Sequence, residues 1–264
     1  MSLQSNSTIS KKGFPDIQAQ GSIAIIPARG GSKRIPRKNI RLFAGQPMIS
    51  YSIAAARKAG VFDQIIVSTD DDEIASIARD YGADVPFRRP VQLADDHAST
   101  EDALVHALEA LADVGCSFRF ACCIYATVPF IAAEDIVAGL NVLNQTNATT
   151  AFTVTTYEYP IRRALNLRKD GRLGMIWPEY RESRSQDLTE VWHDAGQFYW
   201  LSVERFLSER QLFSRDSVPV KIPRYRVQDI DTLEDWQRAE LMYRAMQGRE
   251  NSVSAPVYIG RSDL

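Results

Sequence analysis

The chain has 264 residues, 45% of them hydrophobic and 24% charged, with a formal net charge of −2. This is the composition of a globular protein with one main core; the charge balance argues against a protein built to coat nucleic acid, and no apolar run is long enough to predict a membrane-spanning helix. Cys116, Cys122 and Cys123 offer neither an even disulfide framework nor a metal-ligand spacing, which predicts buried thiols in a cytoplasmic protein.

Residues 1–20 are polar and lack the apolar segment of a secretion signal, so they are expected to form a flexible tail. Ile23-Ala-Ile-Ile-Pro27 is an unalternating apolar run that suits a strand covered on both faces. A loop rich in glycine, proline and cations follows, and then a helix from about Pro47 to Ala59 that stops at Gly60. Residues 64–69 predict a second buried strand, and Asp70 to Glu73 open an amphipathic helix that ends near Gly82. A short strand near Val85, a helix from Thr100 to Val114, a strand from Phe120 to Tyr125 and a helix from Ala133 to Leu143 continue the rhythm. Such alternation predicts an α/β fold, a mostly parallel sheet with helices on both faces.

After Thr149 the pattern changes. Thr150 to Thr156 is a β-branched strand, and residues 157–195 have little helical period and read as hairpins or a projecting arm. Gly196 to Leu201 reads as a returning strand, with Phe198, Tyr199 and Trp200 in its core, and a Thr-capped helix runs from Thr232 to Met246. Residues 21–248 are expected to form a single domain and 249–264 a second tail.

Between the first strand and the first helix, Arg29, Lys33, Arg34, Arg37 and Lys38 place five cations within ten residues, interleaved with Gly30, Gly31 and Ser32. Glycines let backbone N–H groups approach phosphate oxygens, and the carboxyl end of a strand is where open α/β sheets bind ligands. The loop contains neither G-x-x-x-x-G-K-[ST] nor G-x-G-x-x-G, which argues against a P-loop kinase and a nicotinamide oxidoreductase. Much later, Asp229 and Asp231 stand at i and i+2, so on an extended segment both carboxylates point to one side. That arrangement suits a magnesium or manganese ion that takes its remaining ligands from water and phosphate, although two acids before a helix also suit a cap.

The string Ile26-Pro-Ala-Arg-Gly-Gly-Ser-Lys-Arg-Ile-Pro-Arg-Lys-Asn39 resembles the signature of the CMP-sialic acid synthetase family of cytidylyltransferases. Arg89-Pro-Val-Gln-Leu-Ala94, Ala98-Ser-Thr100 and Val227 to Trp236 are similar to further blocks of that family. The resemblance implies a Rossmann-like nucleotide-diphospho-sugar transferase fold and CMP transfer from CTP to an acidic sugar. It gives Arg29, Ser32, Lys33 and Lys38, with the Gly30 and Gly31 backbone, to the phosphates, and Asn39 to the nucleotide's sugar or phosphate. Arg89 and Thr100 fall to the base, and Asp229 and Asp231 to the metal. Arg29, Lys33 and Asp231 are the implied catalytic groups, with Asp231 or a metal-held water as the candidate base.

Within the family, Cys122-Cys-Ile-Tyr-Ala-Thr-Val-Pro-Phe130, Tyr159 to Leu165, Arg184 to Leu188 and His193 to Trp200 look like the pseudaminic acid cytidylyltransferases. Tyr125 stands where sialic acid synthetases carry a sugar-contacting glutamine. Arg163, Arg184 and Gln186 are the expected partners of the sugar's carboxylate and acylamino groups. The resemblance also implies a homodimer paired through the arm. N-acetylneuraminate and 3-deoxy-octulosonate are the rival sugars, and a nucleotide-binding module without catalysis is the rival of a different class.

Overall fold

The computed structural model describes residues 21–95 and 98–253. The expected tail at 1–20, the pair Asp96 and His97, and residues 254–264 of the second expected tail lie outside the described residues. The strands are β1 (Ser22–Pro27), β2 (Leu42–Phe43), β3 (Gln46–Pro47), β4 (Gln64–Ser68), β5 (Phe120–Ile124), β6 (Thr150–Thr156), β7 (Leu165–Leu167), β8 (Leu173–Met175), β9 (Trp192–Ser202) and β10 (Ser217–Lys221). The helices are α1 (Met48–Ala59), α2 (Asp72–Asp80), α3 (Thr100–Ala112), α4 (Ala133–Thr146), α5 (Val203–Glu209) and α6 (Leu233–Val253).

Six strands form the central sheet in the order β10-β6-β9-β5-β1-β4. Pairing is parallel except on the two sides of β9, which runs against both β5 and β6. Because side chains alternate along a strand, β1 sends Ala24 and Ile26 to the layer of α1, α2 and α4, and Ile23 and Ile25 to the layer of α3 and α5. The adjacent thiols Cys122 and Cys123 divide the same way, and all three cysteines are free and buried, as expected. Phe198, Tyr199 and Trp200 are 0–1% exposed, so the aromatic group of β9 is core.

Local signals account for most element ends. Asp71 caps α2 by accepting from the Ile74 N–H at 3.0 Å, Ser99 and Asp102 form a capping box on α3, and Gly60 stops α1 with φ at 65°. Thr232 and Asp235 cap α6 reciprocally, side chain to backbone in both directions.

Several expectations are corrected. The strand near Val85 is a single bridge between Asp84 and Ile66, since Pro86 supplies no N–H to extend a ladder. The returning strand begins at Trp192, four residues before the expected start, because residues 192–194 pair with Thr156 to Val154. The arm between β6 and β9 therefore ends earlier, and its only ladder among the described residues is the β7–β8 hairpin. The helix expected to end at Met246 continues to Val253, into the segment expected as tail. Helix α5 and strand β10 had no strong periodic signal and were not anticipated.

A third apolar cluster lies beside the sheet. It joins Ile35 of the cationic loop, Phe43 and Met48 of the β2–β3 hairpin and α1, Phe130, Ile230, and Trp236 and Ala239 of α6. Phe43 makes edge contacts with Tyr51, Phe130, Trp236 and Tyr243 at centroid distances of 5.5–6.5 Å.

Helix α4 approaches β9 closely at Gly139, where an added Cβ would lie 2.6 Å from Trp200 Cδ1 and 2.9 Å from Phe198 Cε2. Both rings are fully buried and have no space to retreat. We expect Gly139→Ala to destabilise the protein by about 1–3 kcal/mol through overpacking, read as a lower urea midpoint; an unchanged midpoint would show that the helix shifts freely.

Candidate active site

The cationic loop leaves β1 at its carboxyl end and is held by the turn that follows β4. The Gly30 N–H donates to Asp70 Oδ1 at 2.9 Å, and Asn39 Nδ2 donates across the loop to the Arg29 carbonyl at 2.8 Å. Arg37, at a left-handed φ of 57°, pairs through both terminal nitrogens with Asp71 and also reaches Glu73. The guanidinium hydrogen bond holds the Asp71 carboxyl down at about 2, and the same bond pushes Arg37 up. A Cβ on Gly30 would meet Asp71 Oδ2 at 2.8 Å, so the carboxylate packs directly on the glycine backbone.

Sequence reasoning missed this clamp by treating Asp70 to Glu73 only as a helix opening. A cap needs one of those acids; the surplus, set against five cations elsewhere, was the available signal. The clamp removes Arg37 from the cleft, whereas Arg29, Lys33, Arg34 and Lys38 line it.

That cleft has a volume of ≈ 690 Å³, within the range of ligand sites. It is lined by the loop, including Ser32 and Asn39, and by Arg89, Ser99, Thr100, Tyr125 and Thr127. Most residues expected at a nucleotide thus meet in one place; Gly30 and Gly31 lie in the loop's backbone behind it. Arg89 is 5% exposed, and its Nε and Nη2 have no hydrogen-bond partner among the described residues. Burial pulls its pKa down, Asp70 opposes that effect and Arg29 adds to it. A desolvated guanidinium with unanswered donors is costly unless a ligand supplies acceptors. Thr100 Oγ1 lies 3.2 Å from the Tyr125 hydroxyl.

Neither of the twin aspartates lines this cleft, but Asp231 contacts two of the cations that do. Ile230 is 1% exposed, buried in the third apolar cluster between them. Lys38 Nζ donates to the Ile230 carbonyl at 2.7 Å and lies 3.3 Å from Asp231 Oδ1, while Arg34 Nη2 pairs with Asp231 Oδ2 at 2.8 Å. Two cleft-lining cations therefore touch a carboxylate about two hundred residues away in sequence. Burial, and then the neighbouring Asp231 charge, raise the Asp229 carboxyl. Asp229 and the neighbouring Asp231 form an all-oxygen donor pair that fits a hard divalent cation.

The residues expected at the sugar divide. Tyr125 is in the cleft. Gln186 lines a separate cavity of ≈ 460 Å³ with Tyr157, Tyr159, Arg162 and Arg224, and the exposed Arg163 and Arg184 line neither space. Within one chain the structure does not bring these three arm residues to the cleft.

The clamp has a pH signature. The folded-state pKa of Asp71 is depressed from 3.8 to about 2, so its contribution to stability is present above the unfolded value and is lost as the pH falls through the folded one. We expect the wild-type melting temperature to approach that of Asp71→Asn as the pH drops from about 4 to about 2. Parallel curves over that interval would remove the clamp from the stability of the fold.

Residues 23–228 match the family model described as cytidylyltransferase. The chain is 41% identical over 223 residues to a pseudaminic acid cytidylyltransferase of Campylobacter jejuni, spanning 84% of this chain and 96% of that one. It is 28% identical to a CMP-N,N'-diacetyllegionaminic acid synthase of Legionella pneumophila, over 85% of this chain and 97% of that one. Among solved structures it resembles a CMP:2-keto-3-deoxy-manno-octonic acid synthetase complexed with CTP, with a TM-score of 0.61 and 17% identity over 88% of this chain and all of that one, a likeness of fold. With the family model covering most of its length and a relative of this similarity aligned nearly end to end, the chain belongs to the cytidylyltransferase family.

Proposed function

We propose that this protein transfers CMP from CTP to the anomeric hydroxyl of an acidic nine-carbon sugar, pseudaminic acid, with release of pyrophosphate. The observation that carries the reading is the contact of Lys38 and Arg34, which line the cleft, with Asp231 of the distant acidic pair. Phosphate counter-charges in contact with a candidate metal-ligating carboxylate are what nucleotidyl transfer requires. The choice of pseudaminic acid rests on the 41–42% identity to two Campylobacter jejuni enzymes of that name over 84% of the chain.

In this reading Arg29, Ser32, Lys33 and Lys38 hold the triphosphate and then the departing pyrophosphate, with Gly30 and Gly31 allowing the backbone to approach. Each charge-assisted hydrogen bond of this kind contributes about 1.5–3 kcal/mol. Asn39 positions the nucleotide, and Arg89 answers the base with donors that have no partner among the described residues. Asp229 and Asp231 would hold a magnesium or manganese ion, which when bound supplies Lewis-acid polarisation of the α-phosphate. Both Asp231 oxygens engage Arg34 and Lys38, contacts with which a bound metal would have to compete; the general base is Asp231 or a metal-held water. The chain's part in catalysis is to fix the hydroxyl in line with the α-phosphorus and to meet the charge that develops there.

Tyr125 takes the sugar side of the cleft. We place Arg163, Arg184 and Gln186 in the site of a second subunit: a homodimer formed through the 157–195 arm brings them to the partner's sugar, which the single chain does not do. Residues 21–248 act as the catalytic domain of a cytoplasmic enzyme.

Asp231→Asn is expected to keep the fold and to lower metal-dependent pyrophosphate release by about a hundredfold or more, because an anionic metal-ligating oxygen is lost; near-normal turnover would rule out the ligand role. Lys33→Ala is expected to raise KM for CTP about tenfold with a smaller change in KM for the sugar. The opposite pattern would move Lys33 out of the phosphate site.

A further inference from the structure

The segment that carries the twin aspartates is fastened at two points. On its far side the Ile230 carbonyl accepts from Lys38 Nζ at 2.7 Å, and the Asp231 N–H donates to Asp235 Oδ2 at 3.1 Å. On its near side the fastening is Arg226.

Arg226 is held by both its side chain and its backbone. The guanidinium forks onto Asp135 of α4, with Nη1 donating to Oδ2 at 2.5 Å and Nη2 to Oδ1 at 3.3 Å. The two side chains are only 16% and 17% exposed, and a bidentate pair so withdrawn from water has a fixed geometry that loose surface pairs lack. The Arg226 carbonyl accepts from Gln197 Nε2 at 2.6 Å. Gln197 is 3% exposed, and its Oε1 has no partner among the described residues. Leaving one end of a buried amide unanswered costs about 1–3 kcal/mol, which an apolar side chain would avoid. What the amide provides in return is a donor aimed at the Arg226 carbonyl.

The other ends of both contacts lie on the cleft wall. The Gln197 carbonyl accepts from the N–H of Tyr125, a cleft residue, at 3.0 Å. Asp135 stands in the first turn of α4, just after the loop that leaves β5 through Ala126 and Thr127, which also line the cleft. Phe130 of that loop shares the third apolar cluster with Ile230. Arg226 thus ties the acidic segment to this wall, as Lys38 ties it to the cationic loop. Only Val227, Gln228 and Asp229 lie between the two fastenings, so with both ends fixed Asp229 has little freedom to drift.

We infer that the clasp of Asp135, Arg226 and Gln197 sets the position of Asp229 and thereby the affinity of the acidic pair for a divalent cation. These three are positioning residues, and none of them lines the cleft. The inference rests on the reading that gives Asp229 and Asp231 to the metal. The cationic loop is held separately, by Asp70 and Asp71, and keeps its shape when the clasp is opened.

The test titrates Mn²⁺ onto the protein with CTP bound and no sugar present, read by electron paramagnetic resonance, with melting curves and KM for CTP at saturating Mn²⁺ measured beside it. Arg226→Met and Gln197→Met each remove one fastening, and each is expected to weaken Mn²⁺ binding about tenfold or more, as when a partner that orients a metal ligand is lost. KM for CTP is expected to change little. Arg226→Lys, which keeps one charged contact with Asp135, is expected to fall between Arg226→Met and the wild type. Gln197→Met and Arg226→Lys carry the test if Arg226→Met does not fold. A merely structural role would lower the melting temperature and either leave Mn²⁺ binding unchanged or weaken Mn²⁺ and CTP together, and both results overturn the proposal. If Asp229→Asn weakens Mn²⁺ binding while the clasp variants do not, the clasp is wrong and the metal reading stands. If Asp229→Asn also leaves Mn²⁺ binding unchanged, the acidic pair is not the metal site and the underlying reading fails with it.

Discussion

The site depends on the burial of two isoleucines. Ile35 of the cationic loop and Ile230 of the acidic segment enter one small apolar cluster beside the sheet. Each is essentially removed from water, at 0% and 1% exposure, and burying such a side chain stabilises by about 1.5–3 kcal/mol. Loop closure across so many residues is unfavourable, yet its cost grows only slowly with length. The hydrophobic contact therefore suffices to bring Lys38 and Arg34 onto Asp231, and the electrostatic contact follows from it.

A second constraint is the repulsion among the loop's own cations. Arg29, Lys33, Arg34 and Lys38 face one cleft, an arrangement that favours a triphosphate and disfavours the folded protein without one. The protein offsets this with carboxylates: Asp70 on the Gly30 N–H, Asp71 and Glu73 on Arg37, Asp231 on Arg34 and Lys38. These bonds hold the loop in a binding shape before a ligand arrives, which lowers the ordering cost of binding.

The end of the cleft at Arg89 uses the opposite device. Arg89 is desolvated, with donors unanswered among the described residues, while Thr100 is hydrogen-bonded to the Tyr125 hydroxyl. Unmet buried donors penalise the wrong ligand more than they reward the right one. One end of the cleft thus concentrates positive charge, and the other holds buried donors that await a partner.

Much of this was legible in the chain itself. Unalternating apolar runs, caps and glycine stops located β1, β4, β5 and the first four helices, because those signals act within a turn or two of backbone, and the glycine-spaced cations and paired aspartates suggested phosphate and metal binding that the family resemblance made specific. The early start of β9, strand β10 and the length of α6 were not legible, since each is fixed by a partner distant in sequence. For the same reason no local pattern marked Arg89 as buried, and Asp70 and Asp71 read only as part of a helix opening. Only tertiary packing decided that Arg89 is buried, that Arg37 leaves the cleft for Asp71, and that loop and acidic pair converge: burial and charge pairing depend on what surrounds a side chain in space, and no local pattern encodes that.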